Sequence, residues 1–299
     1  MTTMKAAVVN GFGAPEVLTI TELPIPVPDA GEVLVRIAAA AVNPADLGMR
    51  DGRYPWRDEP RFPLIPGYDI TGTVAEVGEG VTGLAVGDEV LAITMHATSQ
   101  AGSYAEYVAL PAAQVTAAPK NLSLLQAVTL PLNALVARQI VDVLGLAPGR
   151  SVLVNAPRSA VGAYVAQYAA LDGLVVRTPA DLDGQVDAAV DTVGGERARN
   201  AFDAVADGGR YATIVPEFWV PGGAFAEERG ISPAFVALHS LPDGAMAGLV
   251  RSVEAGEVTP TPVDRTLPLS RAVEAHELLE AGGLRGKLVL TPDRSETGR

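Results

Sequence analysis

A segment in the middle of the chain carries residues suited to holding a phosphate. The apolar residues 151–156 predict a strand, and residues 159–171 predict a helix. The loop that joins them lies within Val154-Asn-Ala-Pro-Arg-Ser-Ala-Val-Gly162. Ser159 and the helix N-terminus can attract an anion, and Arg158 can reach a phosphate directly. The alternative interpretation of Arg158 is a solvated loop arginine without a function.

Two polar residues of the first part of the chain could also act on a substrate. Asn43 precedes Pro44 at a predicted junction of strand and loop, where its amide can present both a donor and an acceptor. A turn-forming Asn before Pro is the alternative. His96 lies in a predicted loop and could serve as a general acid near neutral pH, whereas a surface histidine without a function is the alternative.

Composition excludes several kinds of chemistry. The 299 residues contain no Cys, which excludes disulfides, thiolate nucleophiles and Cys-ligated metals, and the three His have no ligand spacing. The 22 basic against 35 acidic residues give a net charge of −13, which argues against nucleic acid and anionic membranes as partners. Without a signal-like N-terminus or a long apolar stretch, we expect a soluble cytoplasmic protein. No metal is expected.

The pattern of predicted secondary structure changes near residue 122. Short strands separated by Gly and Pro turns come first and predict an irregular barrel. From Ser123 onward, helices alternate with strands, which predicts a parallel sheet covered on both faces. The capping box Ser123-Leu-Leu-Gln126 predicts a helix that runs to about Leu144 despite Pro131. A later helix over 196–206 is predicted to stop at Gly208-Gly209.

Seven motifs, in order and near-spacing, resemble those of the zinc-free quinone oxidoreductases in the medium-chain dehydrogenase/reductase superfamily. They are Ala41-Val-Asn-Pro-Ala-Asp46, Pro66-Gly-Tyr-Asp-Ile-Thr-Gly72, Gly87-Asp-Glu-Val90, Gly102-Ser-Tyr-Ala-Glu-Tyr107, Leu130-Pro-Leu132, Asp191-Thr-Val-Gly-Gly195 and Arg285-Gly-Lys287. The resemblance implies an α/β protein with a GroES-like β-barrel domain, residues 1–122 completed by 266–299, and a Rossmann domain, residues 123–265. It also places the active site in the cleft between them.

The resemblance further implies which barrel residues act on the substrate. Asn43 and Asp46 match the segment whose amide lies close to nicotinamide and substrate, and Tyr54 corresponds to the tyrosine of the substrate cleft. Tyr54 is therefore the main candidate for donating a hydrogen bond to a carbonyl oxygen. Tyr68 stands where zinc-binding members have a histidine ligand, which agrees with the absence of Cys in predicting no zinc.

The cofactor half departs from the family's pattern. Of the family's phosphate-binding glycines only Gly162 is present, and Val136 replaces a threonine that lies near the nicotinamide in relatives. A helix and an edge strand that should follow Arg177 are missing, so the Rossmann sheet is predicted to be shortened. Arg177 could pair with a 2′-phosphate and thereby indicate NADP. The candidate cofactor residues are Asn155, Arg158, Ser159, Ala160, Val161, Gly162, Arg177, Thr192 and Gly194.

Two functions remain open at this stage. The first is a zinc-independent, NADPH-dependent reductase of a quinone or conjugated enone, with Tyr54, Asn43 or water stabilising the oxygen anion. The second is a cofactor-independent cyclase, isomerase or lyase of secondary metabolism that acts on a polyketide-like carbonyl compound in the same cleft, or a binding protein without turnover. Relatives pair the edge strands of their Rossmann sheets, so we also expect a homodimer through Ala234–His239.

Overall fold

The computed structural model describes residues 2–54, 59–95, 99–215, 227–238 and 240–293. The chain divides into two compact units. The first comprises Met1–Leu132, His239–Glu254 and Pro260–Arg299, and the second comprises Asn133–Leu238 and Ala255–Thr259. These limits differ from the predicted domain limits by the placement of Ser123–Leu132, of residues 239–254 and of residues 260–265, and the predicted limits stay a prediction. Within the described residues, no helix has the length and apolar character needed to cross a membrane.

The described elements follow one another as fourteen strands and seven helices. The strands are β1 (Thr3–Val9), β2 (Leu18–Pro24), β3 (Glu32–Ala41), β4 (Asp69–Val77), β5 (Glu89–Ile93), β6 (Tyr107–Pro111), β7 (Val115–Ala117), β8 (Ser151–Val154), β9 (Val175–Arg177), β10 (Val186–Asp191), β11 (Val205–Thr213), β12 (Pro233–Phe235), β13 (Val263–Pro268) and β14 (Lys287–Thr291). The helices are α1 (Pro44–Asp51), α2 (Leu124–Ala127), α3 (Pro131–Leu144), α4 (Ala160–Leu171), α5 (Gly195–Asp203), α6 (Ala245–Glu254) and α7 (Ala272–Ala281).

The first unit is built on the β-rich part of the sequence. Its main sheet has the order β13-β14-β3-β4-β5-β7, with β6 paired to β3, and β1 pairs with β2. Inward-facing apolar residues alternate along β3, and Val33, Val35 and Ile37 form a core cluster with Ile70 and Val90. Strand β14 pairs antiparallel with the end of β3, so it belongs to this sheet.

The second unit contains a parallel sheet of order β12-β11-β10-β8-β9 in the described residues. This is a doubly wound sheet without one outer strand, because β9 lies at the edge and residues 178–185 connect it to β10 without a helix or strand. The predicted shortened Rossmann sheet is thus confirmed. Its core contains the buried side chains of Leu153, Ala189, Phe202 and Tyr211. At the other edge of the sheet lies β12, which includes the first two residues of the predicted edge strand Ala234–His239.

Two predictions of local structure are wrong. The helix predicted from Ser123 to Leu144 is two helices, α2 and α3, because Pro131 lacks an N–H and instead begins the second helix. Gly208-Gly209 does not end α5, which stops at Asp203; both glycines lie within β11. Gly208 has φ of 73°, and the pairing of β10 with β11 shifts register beside it, so this glycine permits a bulge.

Candidate active site

Helix α1 begins with a closed hydrogen-bonded turn that holds Asn43 and Asp46 together. Asn43 is the N-cap residue, and Pro44 occupies the first helical position, where a missing N–H costs nothing. The backbone N–H of Asn43 donates to Asp46 Oδ2 over 2.8 Å, and the backbone N–H of Asp46 donates to the Asn43 carbonyl over 3.0 Å. The local sequence therefore fixes the position of both predicted catalytic residues.

The amide of Asn43 is engaged within the first unit. Its Nδ2 donates to Asp69 Oδ2 over 2.9 Å and approaches the Ala41 carbonyl at 3.3 Å. Its Oδ1 accepts a hydrogen bond from Lys287 Nζ. Since Asn43 has no exposed surface and both amide hydrogens have internal acceptors, we infer that it orients its neighbours rather than donating to a substrate.

Lys287, Asp69 and Asp46 form a buried group of charges around this amide. Burial lowers the pKa of Lys287, while the carboxylates of Asp69 and Asp46 act in the opposite direction. Burial raises the pKa of Asp69, and Lys287, Asn43 and the backbone N–H of Leu132 counteract it, the last donating over 2.7 Å. A single ammonium thus faces two carboxylates.

Asp46 is the second buried carboxyl of this group. Burial is the largest cause that raises its pKa to about 7, and the charge of Asp69 adds to this effect. Its Oδ2 accepts from the Tyr104 hydroxyl over 3.1 Å. Its Oδ1 is buried and has no hydrogen-bond partner in the described part of the chain. The carboxyl can therefore hold or release a proton near neutral pH.

Tyr54 forms a short hydrogen bond with Tyr68, the residue at the position of the absent zinc ligand. The two hydroxyl oxygens are 2.5 Å apart. Burial raises the pKa of both phenols, and the negative charge of Asp46 adds to the rise in each. Both side chains are therefore neutral donors at physiological pH. When Tyr68 donates to Tyr54, the Tyr54 hydroxyl oxygen is the acceptor of this bond.

Most of the predicted cofactor residues meet in the second unit where β8 and β10 end. Asn155 Nδ2 donates to Asp191 Oδ1 over 2.5 Å, and Asn155 Oδ1 accepts from the backbone N–H of Thr192. The Thr192 hydroxyl lies 2.8 Å from that of Ser159, the N-cap of α4. Asp191 also accepts from the backbone N–H of Gly194 over 2.9 Å. These strands are neighbours at the sheet's topological switch point, the edge at which open α/β sheets bind ligands.

The start of α4 combines an anion-attracting end with tight packing. Ala160, Val161 and Gly162 form its first turn, and the Gly162 N–H donates to Ser159 Oγ over 3.0 Å. A Cβ on Gly162 would lie 2.1 Å from the Ala156 carbonyl oxygen, so this glycine serves the close approach of helix and strand. Arg158 is exposed beside this turn.

These residues form an end of the sheet that favours a bound anion. The N-terminal N–H groups of a twelve-residue helix and the exposed Arg158 guanidinium supply positive charge at the switch point. Arg177 lies apart from the network of Asn155, at the end of edge strand β9, and is half-buried. No strand covers β9 on its outer side in the described residues, so the adenosine side has less protein around it than a complete sheet would give.

Sequence reasoning missed the buried partners of Asn43. Lys287 begins an apolar strand and Asp69 follows Tyr68, and nothing in their local pattern indicates that they meet. His276 is also fully buried, although the three His gave no signal from their spacing. Val136 is a buried helical residue. The suggested mouth histidine His96 and the homodimer residue His239 lie outside the described residues.

The chain matches two family descriptions in its two halves. Residues 29–120 match the alcohol dehydrogenase GroES-like domain, and residues 162–290 match the zinc-binding dehydrogenase family. A tomato (Solanum lycopersicum) 2-methylene-furan-3-one reductase is 31% identical over 97% of this chain and 79% of its own length. The chloroplastic NADPH-dependent alkenal/one oxidoreductase of Arabidopsis thaliana is 30% identical over 97% of this chain and 80% of its own.

A solved structure has the same fold over nearly the whole chain. The quinone oxidoreductase from Coxiella burnetii superimposes with a TM-score of 0.83 and 26% identity, covering 98% of this chain and all of its own. The agreement covers both the β-rich unit and the parallel-sheet unit.

Proposed function

Because this chain belongs to the medium-chain dehydrogenase/reductase superfamily as a quinone oxidoreductase-like member, we propose that it is a zinc-independent, NADPH-dependent reductase of a quinone or conjugated enone. The substrate class follows the relatives, which are named for reductions of furanones, alkenals, alkenones and quinones. An oxidoreductase of this kind must stabilise the negative charge that develops on the substrate oxygen.

The observation that carries the proposal is the pair of neutral phenols. Tyr54 is half-buried and its hydroxyl lies 2.5 Å from that of Tyr68. A donor that accepts a hydrogen bond from a second donor is polarised and preorganised, so it stabilises an oxygen anion without rearrangement. We assign Tyr54 to the substrate oxygen. Asn43 and Asp46 act indirectly, without contacting the substrate oxygen.

The residues of the second unit have positioning roles in this proposal. Bound NADPH would supply the hydride that the reduction requires. The first turn of α4, Ser159 and Arg158 would hold its pyrophosphate, and Arg177 would pair with the 2′-phosphate. The hydrogen bonds that Asn155 and Gly194 donate to Asp191, and the one that Thr192 donates to Asn155, would hold this edge of the sheet in position.

The proposed zinc independence depends on which metal-ligating side chains the chain contains. The chain has no Cys, and Tyr68 is hydrogen-bonded to Tyr54 at the position of the family's histidine ligand. Among the described residues there is no group of three or more His, Asp or Glu side chains arranged to hold a metal ion. We therefore expect activity to persist after dialysis against a chelator. The homodimer and the cytoplasmic location stay predictions.

One observation favours the redox-neutral alternative. Ala156 and Pro157 occupy the loop that carries glycines in relatives, and edge strand β9 has no outer neighbour in the described residues. A weakened dinucleotide site would leave the Tyr54–Tyr68 pair to act on a polarised carbonyl as a cyclase, isomerase or lyase. The two functions differ in whether the protein binds nicotinamide nucleotides at all.

The Arg177→Ala variant tests the cofactor assignment. We expect wild-type protein to bind NADPH with micromolar affinity, and the variant to bind it about tenfold more weakly while its affinity for NADH is unchanged, since only NADPH carries the 2′-phosphate. Nicotinamide fluorescence measures both dissociation constants. Arg150→Ala, which removes an exposed arginine at the amino end of the same sheet, is the matched control.

Two results would contradict the assignment in different ways. Equal losses for NADPH and NADH would show that Arg177 does not recognise the 2′-phosphate. No binding of either nucleotide by the wild-type protein at about millimolar concentration would remove the reductase and favour the redox-neutral alternative.

A further inference from the structure

Helices α1 and α7 face one another through two pairs of polar residues. Asp46 and Arg50 are one turn apart on α1, and His276 and Glu280 are one turn apart on α7. Arg50 Nη2 forms an ion pair with Glu280 Oε1 over 2.7 Å. Glu280 is 39% exposed, whereas Asp46 and His276 have no exposed surface. The polar residues thus lead from the surface into the interior of the first unit.

Tyr104 connects the two inner residues. Its hydroxyl donates to Asp46 Oδ2 over 3.1 Å and lies 3.2 Å from His276 Nε2. A hydroxyl has one proton, so Tyr104 must accept from an Nε2–H of His276 while it donates to Asp46. This requires the tautomer in which Nε2 is protonated and Nδ1 is an acceptor. The order of donors is therefore His276, Tyr104, Asp46.

Three buried polar atoms on α1 and α7 have no hydrogen-bond partner in the described residues. They are His276 Nδ1, Arg50 Nη1 and Asp46 Oδ1. After burial, the charge of Arg50 is the next cause that lowers the pKa of His276 to about 3, so the guanidinium is close to the imidazole. Arg50 offers a donor and His276 an acceptor. Unpaired buried groups are costly, and a water that accepts from Arg50 and donates to His276 satisfies both.

We propose that His276, Tyr104 and Asp46, with water held by Arg50, form a proton path that restores the proton which the Tyr54–Tyr68 pair gives to the substrate. This inference rests on the proposed reduction. Asp46 lies on α1, and the backbone N–H of Tyr54 donates to the carbonyl of Gly48 on the same helix over 2.9 Å. Asp69, the neighbour of Tyr68 in the chain, accepts from Asn43 at the start of that helix. Arg50 orients the water and keeps its own proton.

The proton balance of the reduction requires such a supply. Adding a hydride to carbon moves an electron pair onto the substrate oxygen, and Tyr54 gives this oxygen its proton. The resulting phenolate takes a proton from the Asp46 carboxyl through an intervening water. The carboxylate then takes the proton of Tyr104, which takes that of His276 Nε2, while Nδ1 receives one from water. One solvent proton is consumed for each hydride transferred. His276 then carries its proton on Nδ1, so exchange of its ring protons with water and rotation of the Tyr104 hydroxyl restore the starting tautomer before the next transfer.

The surrounding charges suit Asp46 to this role. Lys287 and Asp69 act on it from β14 and β4, and Tyr104 from a loop. The charge of Asp46 acts in turn on the Tyr54–Tyr68 pair, and Arg50, one turn further along α1, acts on Tyr104. With a pKa of about 7, Asp46 is protonated at lower pH and loses its proton as pH rises. We therefore expect kcat to fall above about pH 7.

The Tyr104→Phe variant tests the path because it removes the hydroxyl and keeps the ring. We expect kcat to fall at least about tenfold with KM unchanged, and the solvent deuterium isotope effect on kcat to increase because proton supply becomes slower. Tyr211→Phe, which removes a buried hydroxyl from the second unit, is the control. An unchanged kcat and isotope effect in Tyr104→Phe would overturn the proposal, as would a loss confined to KM.

A second variant separates proton supply from structural support. His276→Ala should lose kcat in the same way and regain it when imidazole is added, since imidazole can enter the space and carry the proton. Recovery supports the path. If imidazole restores nothing while the variant remains folded by circular dichroism, the path is wrong.

One measurement requires no substrate and separates this inference from the proposed function. ¹⁵N NMR of histidine-labelled protein, with His276→Ala to assign its signals, reports which ring nitrogen is protonated. Protonated Nε2 with unprotonated Nδ1 supports the path, and the opposite tautomer overturns it. If the protein reduces no quinone or enone, the proposed function fails, and the NMR result still decides whether the order of donors is His276, Tyr104, Asp46.

Discussion

Replacing Lys287 with methionine should lower the free energy of unfolding by about 3–5 kcal/mol, because it leaves the buried carboxylate of Asp69 without its cation. Methionine keeps most of the side-chain volume, so the loss reports the charge. Lys287 is 5% exposed and Asp69 is fully buried. Urea unfolding at pH 7 measures the difference, and Lys120→Met, at an exposed position, should change it by less than about 0.5 kcal/mol.

The loss should depend on pH in a defined direction. Burial already raises the pKa of Asp69, and removing Lys287 raises it further. The folded variant therefore binds a proton at Asp69 more readily than the unfolded chain does, so its stability increases as pH falls toward the usual aspartate pKa of about 3.9. We expect the difference from wild type to shrink between pH 7 and pH 5. A loss below about 1 kcal/mol at pH 7, or one that grows on acidification, would contradict the description of this charge group.

Replacing Tyr54 with phenylalanine should reduce kcat/KM for quinones and enones about 100-fold, which corresponds to about 2.7 kcal/mol of lost oxygen-anion stabilisation. The ring stays, so NADPH affinity should not change. Tyr68→Phe should have a smaller effect of about tenfold, because it removes only the hydrogen bond that polarises Tyr54.

Tyr107→Phe is the matched control for Tyr54→Phe, since Tyr107 lies partly buried on β6 away from the phenol pair. Steady-state kinetics with saturating NADPH separates kcat from KM. Should Tyr54→Phe retain at least half of the wild-type kcat/KM, Tyr54 would not be the oxygen donor. Should Tyr68→Phe prove the more damaging change, the order of the two donors would be reversed.

The sequence predicts the order of elements better than the contacts between them. The missing outer strand could be predicted because the segment from Arg177 to Asp187 is too short for a helix and a strand. Pro131 was misinterpreted because the apolar pattern continues through it, whereas the missing N–H gives α3 its own start. Patterns of this kind depend on neighbouring residues in the chain, so they indicate the helices and strands but not the contacts between them.

The buried charges show where sequence reasoning stops. Asn43 could be assigned to a cleft from its motif, but its amide is engaged by Lys287, 244 residues later in the chain. His276 contacts Tyr104 across 172 residues, and the periodicity of neither segment indicates the contact. Such pairs follow from tertiary packing. Whether Asn43, Asp46 and Tyr54 act in catalysis is still a proposal, and the structure changes only the role expected of the first.

The most direct test of the proposed reduction follows a hydride. NADPH carrying deuterium at the transferred position is incubated with the protein and a conjugated enone, and the product is analysed by mass spectrometry. We predict that the reduced product gains one deuterium from the labelled NADPH. With unlabelled NADPH in deuterated water, the product should instead gain one deuterium from the solvent, as its second hydrogen. A chelator should change neither result. Conversion of the substrate without nicotinamide, or without transfer of the label, would contradict the reductase and establish redox-neutral chemistry instead.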